Sequence, residues 1–379
     1  MKKKIKYIAF YSSSVDSENR QSALSASNKI DYICKALIKN NYNVEIISPS
    51  WTNNTTGFYK GGNKKIADNI NLRTFATFGS KNKVQRIFKY LFSLIHLFFY
   101  LLINTNKHDI VIVYHSVVLS TPIRLAKFFK KFKLILEVEE IYQDFQTFSK
   151  YMKRNEYKFF NAADKFIFPT ELLNEKINSK GKPHSIIYGT YQVEWDREIR
   201  FNDEKIHVVY AGTFDPRKGG TAAVSAATHL PSKYHIHIIG FGNEEQKRNI
   251  IELISETKKK SKCEISFDGL LKGEEYIRYL QSCDIGLSTQ KLDASFNNTS
   301  FPSKILSYMA NGLRVVSVRI KAIELSAIGN AIYYYDEQTP EAIAKAIMSI
   351  DTKESSESKK LIKKLDEEFV HNIRELLEN

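Results

Sequence analysis

Short apolar runs rich in β-branched residues alternate along this chain with longer stretches of helical period, and the alternation restarts after about residue 195. Such an alternation is the pattern of a parallel α/β sheet with helices between its strands. The pattern predicts eleven strands in two series. They are Lys6–Tyr11, Val44–Ser48, Ile110–Tyr114, Leu134–Val138 and Lys165–Pro169, then His207–Tyr210, His235–Ile239, Glu264–Phe267, Ile285–Ser288, Val315–Val318 and Ala331–Tyr334.

Two domains are also expected from the length, because 379 residues exceed what one hydrophobic core usually serves. The stretch between the two series, residues 181–202, lacks a period and is typical of an interdomain connection. Apolar residues at four-residue spacing then predict an amphipathic helix at the end of the chain. We predict an N-terminal domain over residues 1–190, a C-terminal domain over 191–355, and a helix over 356–379 that packs back on the first domain.

Cysteine usage and the first residues indicate the compartment. Cys34, Cys263 and Cys283 are far apart, which argues for a reducing compartment and against a disulfide framework or a structural zinc site. The apolar stretch at the N-terminus is too short for a signal peptide and is interrupted by Lys6, so a first strand fits better. We therefore expect a cytoplasmic protein.

The basic excess of the chain lies in its first half. Residues 1–190 hold 30 Lys and Arg against 14 Asp and Glu, whereas residues 191–379 hold 26 against 28. This asymmetry predicts an anionic partner for the first half: nucleic acid, an anionic membrane surface or a phosphate-bearing lipid.

Two segments of the second half have the pattern of phosphate sites. In NNTSFPSKILSYMANGLRVVS, residues 297–317, a polar loop leads into a helix with Pro302 in its first turn, where free amides attract anions. In YAGTFDPRKGG, residues 210–220, a strand ends in glycines beside two cations. Many α/β helices begin like the first segment, and a solvated basic turn is the alternative for the second. A third strand, IIGFG, also ends in glycines, which alone is weak evidence for a ligand site.

These motifs, with DGLLKGEEYIRYLQSCDIGLS between them, resemble in order and spacing the retaining glycosyltransferases of family 4. The resemblance covers most of residues 205–320, and the first half is similar more loosely. It implies the GT-B fold, two Rossmann-like domains facing each other across a cleft, with a nucleotide-diphosphate sugar as donor. It also implies that neither a metal nor another cofactor is required.

By this resemblance, Lys218 binds the donor diphosphate and residues 269–272 hold the base through their backbone. The family's arginine after the strand glycine is Thr213 here, and we expect Arg217 to take over its role. The family's two glutamates are replaced by Thr299 and Ser307, which puts the identity of the donor in doubt. The predicted donor-binding residues are Gly212, Thr213, Arg217, Lys218, Gly240, Gly242, Gly269, Leu270, Leu271, Lys272, Asn298, Thr299, Ser300, Phe301, Pro302, Ser303, Lys304 and Ser307.

The catalytic candidates lie at strand ends of the first half. Glu137, Glu139 and Glu140 end one strand, and Glu139 matches a position where many relatives carry a histidine. A solvated loop or salt bridges to lysines are the alternatives for these carboxylates. His115 also follows a strand, where a lone histidine is more often structural. The predicted catalytic set is Glu139, Glu140 and His115.

The loop after the first strand is rich in serine where the family is rich in glycine. Ser12, Ser13 and Ser14 have hydroxyls that suit phosphate or sugar, and Arg20 follows them. A surface position is the alternative for Arg20.

An aromatic-rich helix, residues 87–103, is shorter than a membrane span and contains Lys89 and His96. Burial against the first sheet is one interpretation. Its basic flank, Lys81, Lys83 and Arg86, favours a helix at an anionic membrane surface, which places the protein peripherally at the inner face of the cell membrane.

Together these observations predict a glycosyltransferase that acts on a membrane-linked saccharide or lipid carrier in surface-polysaccharide biosynthesis. A non-catalytic GT-B partner subunit is the first alternative. A nucleic-acid-binding protein is the second, and the lack of a recognisable binding motif argues against it. A Rossmann dehydrogenase is disfavoured because no GxGxxG follows the first strand.

Overall fold

The computed structural model describes residues 3–13, 18–142, 149–197 and 199–378. The chain divides into two compact units, Met1–Ile187 with Glu368–Asn379 and Tyr188–Glu367. Each unit contains one large sheet in which most strands are parallel and helices connect the strands. The predicted α/β class with two sheets is therefore confirmed.

The first unit contains ten strands among the described residues. They are β1 (Lys4–Ile8), β2 (Asn43–Ser48), β3 (Phe58–Tyr59), β4 (Gly62–Ala67), β5 (Ile70–Thr74), β6 (Thr77–Phe78), β7 (Ile110–Tyr114), β8 (Lys133–Glu137), β9 (Lys165–Phe168) and β10 (His184–Ile186). Its helices begin with α1 (Leu24–Lys39), α2 (Lys83–Asn104), α3 (Ser120–Lys130), α4 (Lys150–Ala162) and α5 (Glu171–Ile177).

The strand order of the first sheet is β10-β9-β8-β7-β1-β2-β5-β4. All neighbours are parallel except β4 and β5, which are antiparallel. The order reverses at β1, which lies between β7 and β2. All five strands predicted in this half are present, and β1 begins two residues earlier than expected.

Five strands of the first unit were missed, and most of them carry little hydrophobic pattern. The sequence of β4, GNKKIA, is polar and largely exposed because this strand forms the edge of the sheet. Strands β3 and β6 are two residues long, and β10 has three. Such short or edge strands bury too few side chains to leave a period in the sequence.

Helix α2 buries two polar residues, Lys89 and Ser93, and exposes most of its large apolar residues. The Lys89 ammonium donates to the Thr52 carbonyl at 2.6 Å, and the Ser93 hydroxyl donates to the Pro49 carbonyl at 2.5 Å. Leu97 and Leu101 lie fully buried in the core of the unit. By length and composition alone, α2 would be a candidate membrane span, with a mean hydropathy of 1.6. In this structure one of its faces is instead attached to the unit.

The second unit contains six strands among its described residues. They are β11 (Ile206–Thr213), β12 (Tyr234–Phe241), β13 (Glu264–Gly269), β14 (Ile285–Ser288), β15 (Arg314–Val318) and β16 (Ile332–Tyr335). The helices are α6 (Gly220–Ala226), α7 (Glu244–Lys258), α8 (Gly273–Gln281), α9 (Lys304–Ala310), α10 (Lys321–Glu324), α11 (Pro340–Met348) and α12 (Ser358–Glu378).

The six strands of the second sheet are all parallel, in the order β13-β12-β11-β14-β15-β16. This is the doubly wound order in which the first three strands run outward one way and the last three the other way. All six strands predicted in this half are present. The order reverses between β11 and β14, which are neighbours.

The last helix, α12, ends among residues of the first unit. Phe369 stacks on Tyr32 with ring centroids 5.7 Å apart, and the Lys165 ammonium donates to the Leu376 carbonyl. Asn40 donates to the Val370 carbonyl at 2.8 Å. These contacts account for the assignment of Glu368–Asn379 to the first unit.

Candidate active site

The turn after β11 lies directly against the residues after β14. Gly219 has φ +85°, and a Cβ at this position would lie 1.8 Å from the Thr289 carbonyl oxygen. The Thr289 hydroxyl donates to the Gly219 carbonyl at 2.7 Å. In open α/β sheets, ligands bind in the crevice at the point where the strand order reverses. The glycine therefore closes the floor of the expected ligand crevice of the second unit.

Four predicted glycines share the same edge of the sheet. Gly212 pairs with Gly240, whose φ is +149°, and a Cβ on Gly240 would lie 1.8 Å from the Gly212 carbonyl oxygen. Gly242 follows β12, where a Cβ would lie 2.8 Å from Gln246 Oε1. Gly269 ends β13 with φ +76° and open space around its Cα. The backbone at this edge is therefore closely packed at β11 and β12 and accessible at β13.

Lys304, the first residue of α9, points its ammonium into this edge. The nitrogen is buried and has no hydrogen-bond partner among the described residues. It lies 3.9 Å from the centroid of the Tyr210 ring, and a Cβ on Gly212 would lie 3.0 Å from it. Burial, followed by the nearby charge of Lys218, lowers the pKa of Lys304 to about 7. A buried cation without a counter-ion is costly, and an anion in the crevice would remove that cost.

Lys218 provides a second cation beside the first. Its ammonium lies 3.8 Å from the centroid of the Phe296 ring, and within the described ranges it forms no ion pair. Burial is the main cause that lowers the pKa of Lys218, against the attraction of Asp215. Two ammonium groups held by aromatic rings, with no carboxylate bound to either among the described residues, suit an anion with more than one negative charge.

Arg217 is less suited to the role that we expected of it. Its guanidinium is exposed and pairs with Asp215, with Nη2 2.6 Å from Oδ2. That ion pair lowers the pKa of Asp215 to about 2. Thr213 accepts through its carbonyl from the Tyr210 hydroxyl at 2.9 Å. Lys304, predicted only as part of the helix start, is instead the cation that is buried at the strand edge beside Gly212.

The loop between β14 and α9 is held by an amide network that the sequence did not reveal. Gln290 donates to the Asn297 side-chain oxygen at 2.5 Å. Asn297 donates in turn to the carbonyls of Lys291 and Leu292, at 2.8 and 2.9 Å. The backbone amide of Lys291 donates to the Arg217 carbonyl at 2.9 Å. These bonds fix the loop on the turn that carries Lys218.

Helix α9 begins later than expected. Pro302 and Ser303 precede it, and it runs for seven residues from Lys304. Ser303 makes no side-chain cap. So short a helix has a weak dipole, and its first turn is less of an anion site than we predicted. The charge of Lys304 carries this role instead. Ser300 is half-buried, and Phe301 is buried with its ring centroid 5.1 Å from that of Tyr188.

Thr299 and Ser307, which the resemblance predicts to replace two glutamates, differ in their surroundings. Thr299 is buried, with 2% of its surface exposed. The Ser307 hydroxyl lies 3.2 Å from the Tyr276 hydroxyl. Both positions offer neutral hydrogen-bonding groups. The side chain of Asn298 lies outside the described part of the chain.

The loop predicted to hold the base is open. Leu270 is 47% exposed, Leu271 is half-buried and Lys272 is exposed. Lys272 is the N-cap residue of α8 and makes no side-chain cap, so no side chain of the cap covers the first amides of that helix. The exposed side chains leave this loop accessible to a planar ring, as its predicted role requires.

Sequence comparison places this site in a known family of domains. Residues 192–375 match the family described as Glycosyl transferases group 1. The chain is a glycosyltransferase. No curated protein matches its sequence.

The fold of the glycosyltransferase is similar to that of solved structures over nearly the whole chain. Sucrose-phosphate synthase from Thermosynechococcus elongatus has a TM-score of 0.70 at 14% identity, covering 99% of this chain and 98% of that chain. The α,α-trehalose-phosphate synthase (UDP-forming) from Burkholderia xenovorans has a TM-score of 0.64 at 10% identity, covering 100% of this chain and 99% of that chain. Anabaena HepE in complex with UDP has a TM-score of 0.61 at 12% identity, covering 99% of this chain and 98% of that chain. The fold is that of the GT-B glycosyltransferases.

The first unit of the glycosyltransferase has a cavity where its own strand order reverses. The volume is about 470 Å³, and Phe10 after β1, Trp51 after β2 and Tyr114 at the end of β7 line it, together with Tyr142. The carboxyl ends of these strands form one edge of the sheet. Aromatic side chains with polar atoms suit a partly apolar ligand such as a sugar ring. We did not predict these aromatic residues, although Phe10, Trp51 and Tyr114 lie at or shortly after strand ends.

His115 lines the same cavity but is a poor base. It is buried, and neither ring nitrogen makes a hydrogen bond among the described residues. The nearest carboxylate oxygen, on Glu156, lies 3.6 Å from Nε2. Burial lowers the pKa of His115 to about 3. The ring is therefore neutral at physiological pH and holds a proton too weakly for general-base catalysis.

The three carboxylates after β8 have three different environments. Glu137 is fully buried and accepts a hydrogen bond from the Tyr7 hydroxyl, and burial raises its pKa to about 8. Glu139 pairs with the buried Lys29. Glu140 is half-buried, and burial followed by the charge of Glu139 raises its pKa. Of the three, Glu140 is neither fully buried nor, among the described residues, held in an ion pair, and its raised pKa favours a role as proton acceptor.

Arg20 is occupied within the first unit and is not available for a ligand. Its guanidinium donates to the carbonyls of Ser50 and Phe75, at 2.7 and 2.8 Å, and pairs with Glu18. It is a buried structural residue rather than a surface or ligand-binding one. Ser12 and Ser13 are half-buried after β1, and Ser14 lies outside the described residues.

Proposed function

We propose that this glycosyltransferase moves a sugar from a nucleotide-diphosphate sugar to a saccharide or lipid-linked acceptor at an anionic membrane surface, in surface-polysaccharide assembly. The observation that carries the donor part of this proposal is the buried, unpaired ammonium of Lys304 beside Lys218. Both cations lie at the strand edge where open α/β sheets bind ligands. A diphosphate is an anion of suitable charge for two adjacent ammonium groups.

The same two lysines explain how the bond to the leaving group would break. Charge develops on the diphosphate as the glycosidic bond lengthens, and fixed cations in a water-poor site stabilise that charge without reorganisation. The lysines would thus supply positive charge at the place where it is needed, and we propose that catalysis requires no metal. Retention of configuration rests on the resemblance of residues 205–320 to family 4.

The sugar would be held by neutral groups. Thr299 and Ser307 can donate and accept hydrogen bonds, each typically contributing about 0.5–1.5 kcal/mol, which is less than a charged partner contributes. A donor sugar with few hydroxyl groups is therefore favoured over a sugar whose hydroxyl groups need two carboxylates as hydrogen-bond acceptors.

The aromatic cavity of the first unit is the proposed acceptor site. Phe10, Trp51 and Tyr114 offer ring surfaces, and Glu140 follows a neighbouring strand. We assign Glu140 to acceptor activation or positioning, with Glu139 as a positioning group held by Lys29.

The membrane part of the proposal rests on the exposed face of α2. A helix of a soluble protein normally buries its apolar face, whereas α2 buries only Lys89, Ser93, Leu97 and Leu101 and exposes eight large apolar residues. The basic residues Lys81, Lys83 and Arg86 flank its start and are exposed. An exposed apolar face with a basic flank matches an anionic lipid surface. The exposed residues are Val84, Ile87, Phe88, Leu91, Phe92, Ile95, Phe99 and Ile103 on α2, and Leu125, Phe128 and Phe129 on α3.

Thermal unfolding with a panel of UDP, GDP, ADP and their sugar conjugates, with and without a chelator, tests the donor assignment. A ligand that binds only the folded state at 100 times its Kd contributes about 2.7 kcal/mol. We expect one nucleotide class to raise the melting temperature, with or without the chelator. If no member of the panel does so, the donor assignment is wrong. Binding without transfer or hydrolysis would indicate the non-catalytic subunit, and a gel shift with nucleic acid at physiological salt would indicate the nucleic-acid binder.

A further inference from the structure

Three histidines meet at the opposite edge of the second sheet, where its strands begin. His207 lies near the start of β11 and pairs in register with His235 near the start of β12. His237, two residues further along β12, lies on the same face as His235 because side chains alternate along a strand. None of the three belongs to the donor crevice, which is formed by the carboxyl ends of the same strands.

One nitrogen of each ring faces the others. The ligand atoms that the three histidines offer all lie within 4.8 Å of one another. The closest pair is Nδ1 of His207 and Nε2 of His237, at 2.8 Å. A tetrahedral zinc ion with nitrogens at about 2.0–2.1 Å separates them by about 3.3 Å. That spacing lies between the observed limits, so small ring movements suffice to accommodate an ion.

The outer nitrogens of the rings are held by polar groups. Asp203 Oδ1 lies 2.8 Å from Nε2 of His207. The Ser266 hydroxyl lies 3.0 Å from Nδ1 of His237 and 3.1 Å from Nε2 of His235, and it donates its own proton to Asp268 at 2.6 Å. Ser266 therefore accepts from these two nitrogens, which leaves Nε2 of His237 and Nδ1 of His235 without a proton and able to bind an ion. An outer carboxylate or hydroxyl on each ring is the arrangement that orients histidines around metal ions.

The walls of the cluster differ on its two sides. Phe201 stacks on His207 and His237, with ring centroids 4.1 and 4.8 Å away. The His235 side chain is 12% exposed, and Glu264, 52% exposed, has a carboxylate oxygen 3.9 Å from Nδ1 of His235. Ion access is therefore from the Glu264 side, where a carboxylate or a water molecule completes the coordination.

We propose that His207, His235 and His237 bind one divalent transition-metal ion of the zinc class, with Glu264 or water as the fourth ligand. Neutral imidazoles suit such ions, whereas magnesium and calcium prefer oxygen ligands. The ion joins β11 to β12 at the edge away from the donor crevice, so its role is structural. It is independent of the proposed function and of metal use in the transfer reaction.

The full chain, expressed without a histidine tag and treated with a chelator, tests this site. Titration with Zn²⁺ alone in a calorimeter should show saturable binding of one ion per chain, and Zn²⁺ should raise the melting temperature. His235→Gln should weaken binding by more than about 100-fold, because even outer partners of a ligating histidine typically contribute 10- to 100-fold. His229→Gln, a change at a histidine that is 39% exposed and outside the cluster, is the matched control and should bind like the wild type.

Asp203→Asn provides a second variant that keeps all three rings, and it should weaken Zn²⁺ binding by about 10- to 100-fold. Wild-type protein without one-site binding, or an unchanged Kd in a folded His235→Gln or in Asp203→Asn, would overturn the proposal. The cluster would then be a closed hydrogen-bond network of neutral histidines.

Discussion

Replacing Lys304 by methionine should make the protein more stable and its nucleotide site weaker at the same time. Methionine has a similar length and no charge, so it removes the buried ammonium without opening a large cavity. The pKa of Lys304 falls from 10.5 to about 7 on folding. At about 1.4 kcal/mol per pH unit, keeping this group charged costs the folded state up to about 5 kcal/mol at pH 6.

The free-energy cost of burying the Lys304 ammonium decreases as pH rises above about 7. Between about pH 7 and 10.5 the unfolded state binds the Lys304 proton and the folded state does not, so the stability of the wild type rises with pH over this range. At pH 9 the remaining cost is at most about 2 kcal/mol by the same conversion. The stabilisation of Lys304→Met over the wild type should therefore be largest at pH 6 and smaller at pH 9.

Nucleotide binding should change in the other direction. Loss of one charge-assisted hydrogen bond to phosphate costs about 1.5–3 kcal/mol, which corresponds to roughly 10- to 150-fold in Kd. Wild-type protein at pH 8 should also take up a proton on binding a nucleoside diphosphate, because the anion raises the pKa of Lys304. Calorimetry with UDP in two buffers of different ionisation enthalpy measures this uptake.

The matched control is Lys321→Met, because Lys321 is also the first residue of a helix of the second unit but is exposed. It should change neither the melting temperature nor the Kd. A Lys304→Met protein that melts below the wild type at pH 6, or that binds nucleotide with an unchanged Kd, would refute the assignment of Lys304 as an uncompensated cation of the donor site.

Four further predictions follow from other parts of the structure. Lys218→Ala should weaken nucleoside-diphosphate binding by roughly 10- to 150-fold in calorimetry, while Lys247→Ala on the exposed side of α7 should not; equal Kd values would remove Lys218 from the site. Glu140→Gln should lower kcat by about 100- to 10,000-fold with donor affinity retained if Glu140 is the base, and Glu139→Gln should act more weakly; full activity in the double variant would contradict both roles. Serine at Phe88, Phe92 and Phe99 should release the protein from anionic vesicles in a flotation assay, with Phe58→Ser as the control; retained binding would exclude this face of α2. Between about pH 4.5 and 8 the folded state keeps the Glu137 proton and the unfolded state loses it, so the wild type should lose stability as pH rises and Glu137→Gln should not show this loss. A melting temperature independent of pH in both proteins would argue against the raised pKa of Glu137.

The sheets were largely predictable because each central strand buries both faces and so leaves a continuous apolar run in the sequence. The strands β11, β12, β14 and β15 are examples, and all four were expected. The edge strand β4 was missed because its residues face solvent, and β3, β6 and β10 are too short to produce a period.

The donor site was predictable in position but not in its electrostatics. Glycines at strand ends mark the crevice, because no other residue permits the approach of Gly240 to Gly212. The sequence gives no measure of desolvation, however, so it could not separate Lys304, whose ammonium is buried and unpaired, from Arg217, which is neutralised by Asp215. Arg20 is a similar case: only the structure shows that backbone carbonyls occupy its guanidinium.

The burial of Lys89 and Ser93 in the largely apolar helix α2 has a consequence for the synthesis of the chain on the ribosome. The backbone carbonyls that bind Lys89 and Ser93 belong to residues 49 and 52, which leave the ribosome before the helix does. Strands β7 and β8, against which Leu97 and Leu101 pack, leave it afterwards. For an interval the nascent chain thus presents a 22-residue apolar helix, long enough to be taken for a membrane span, before the sheet that retains it is complete. The two early polar contacts are then what favours docking on the growing unit over insertion into the bilayer.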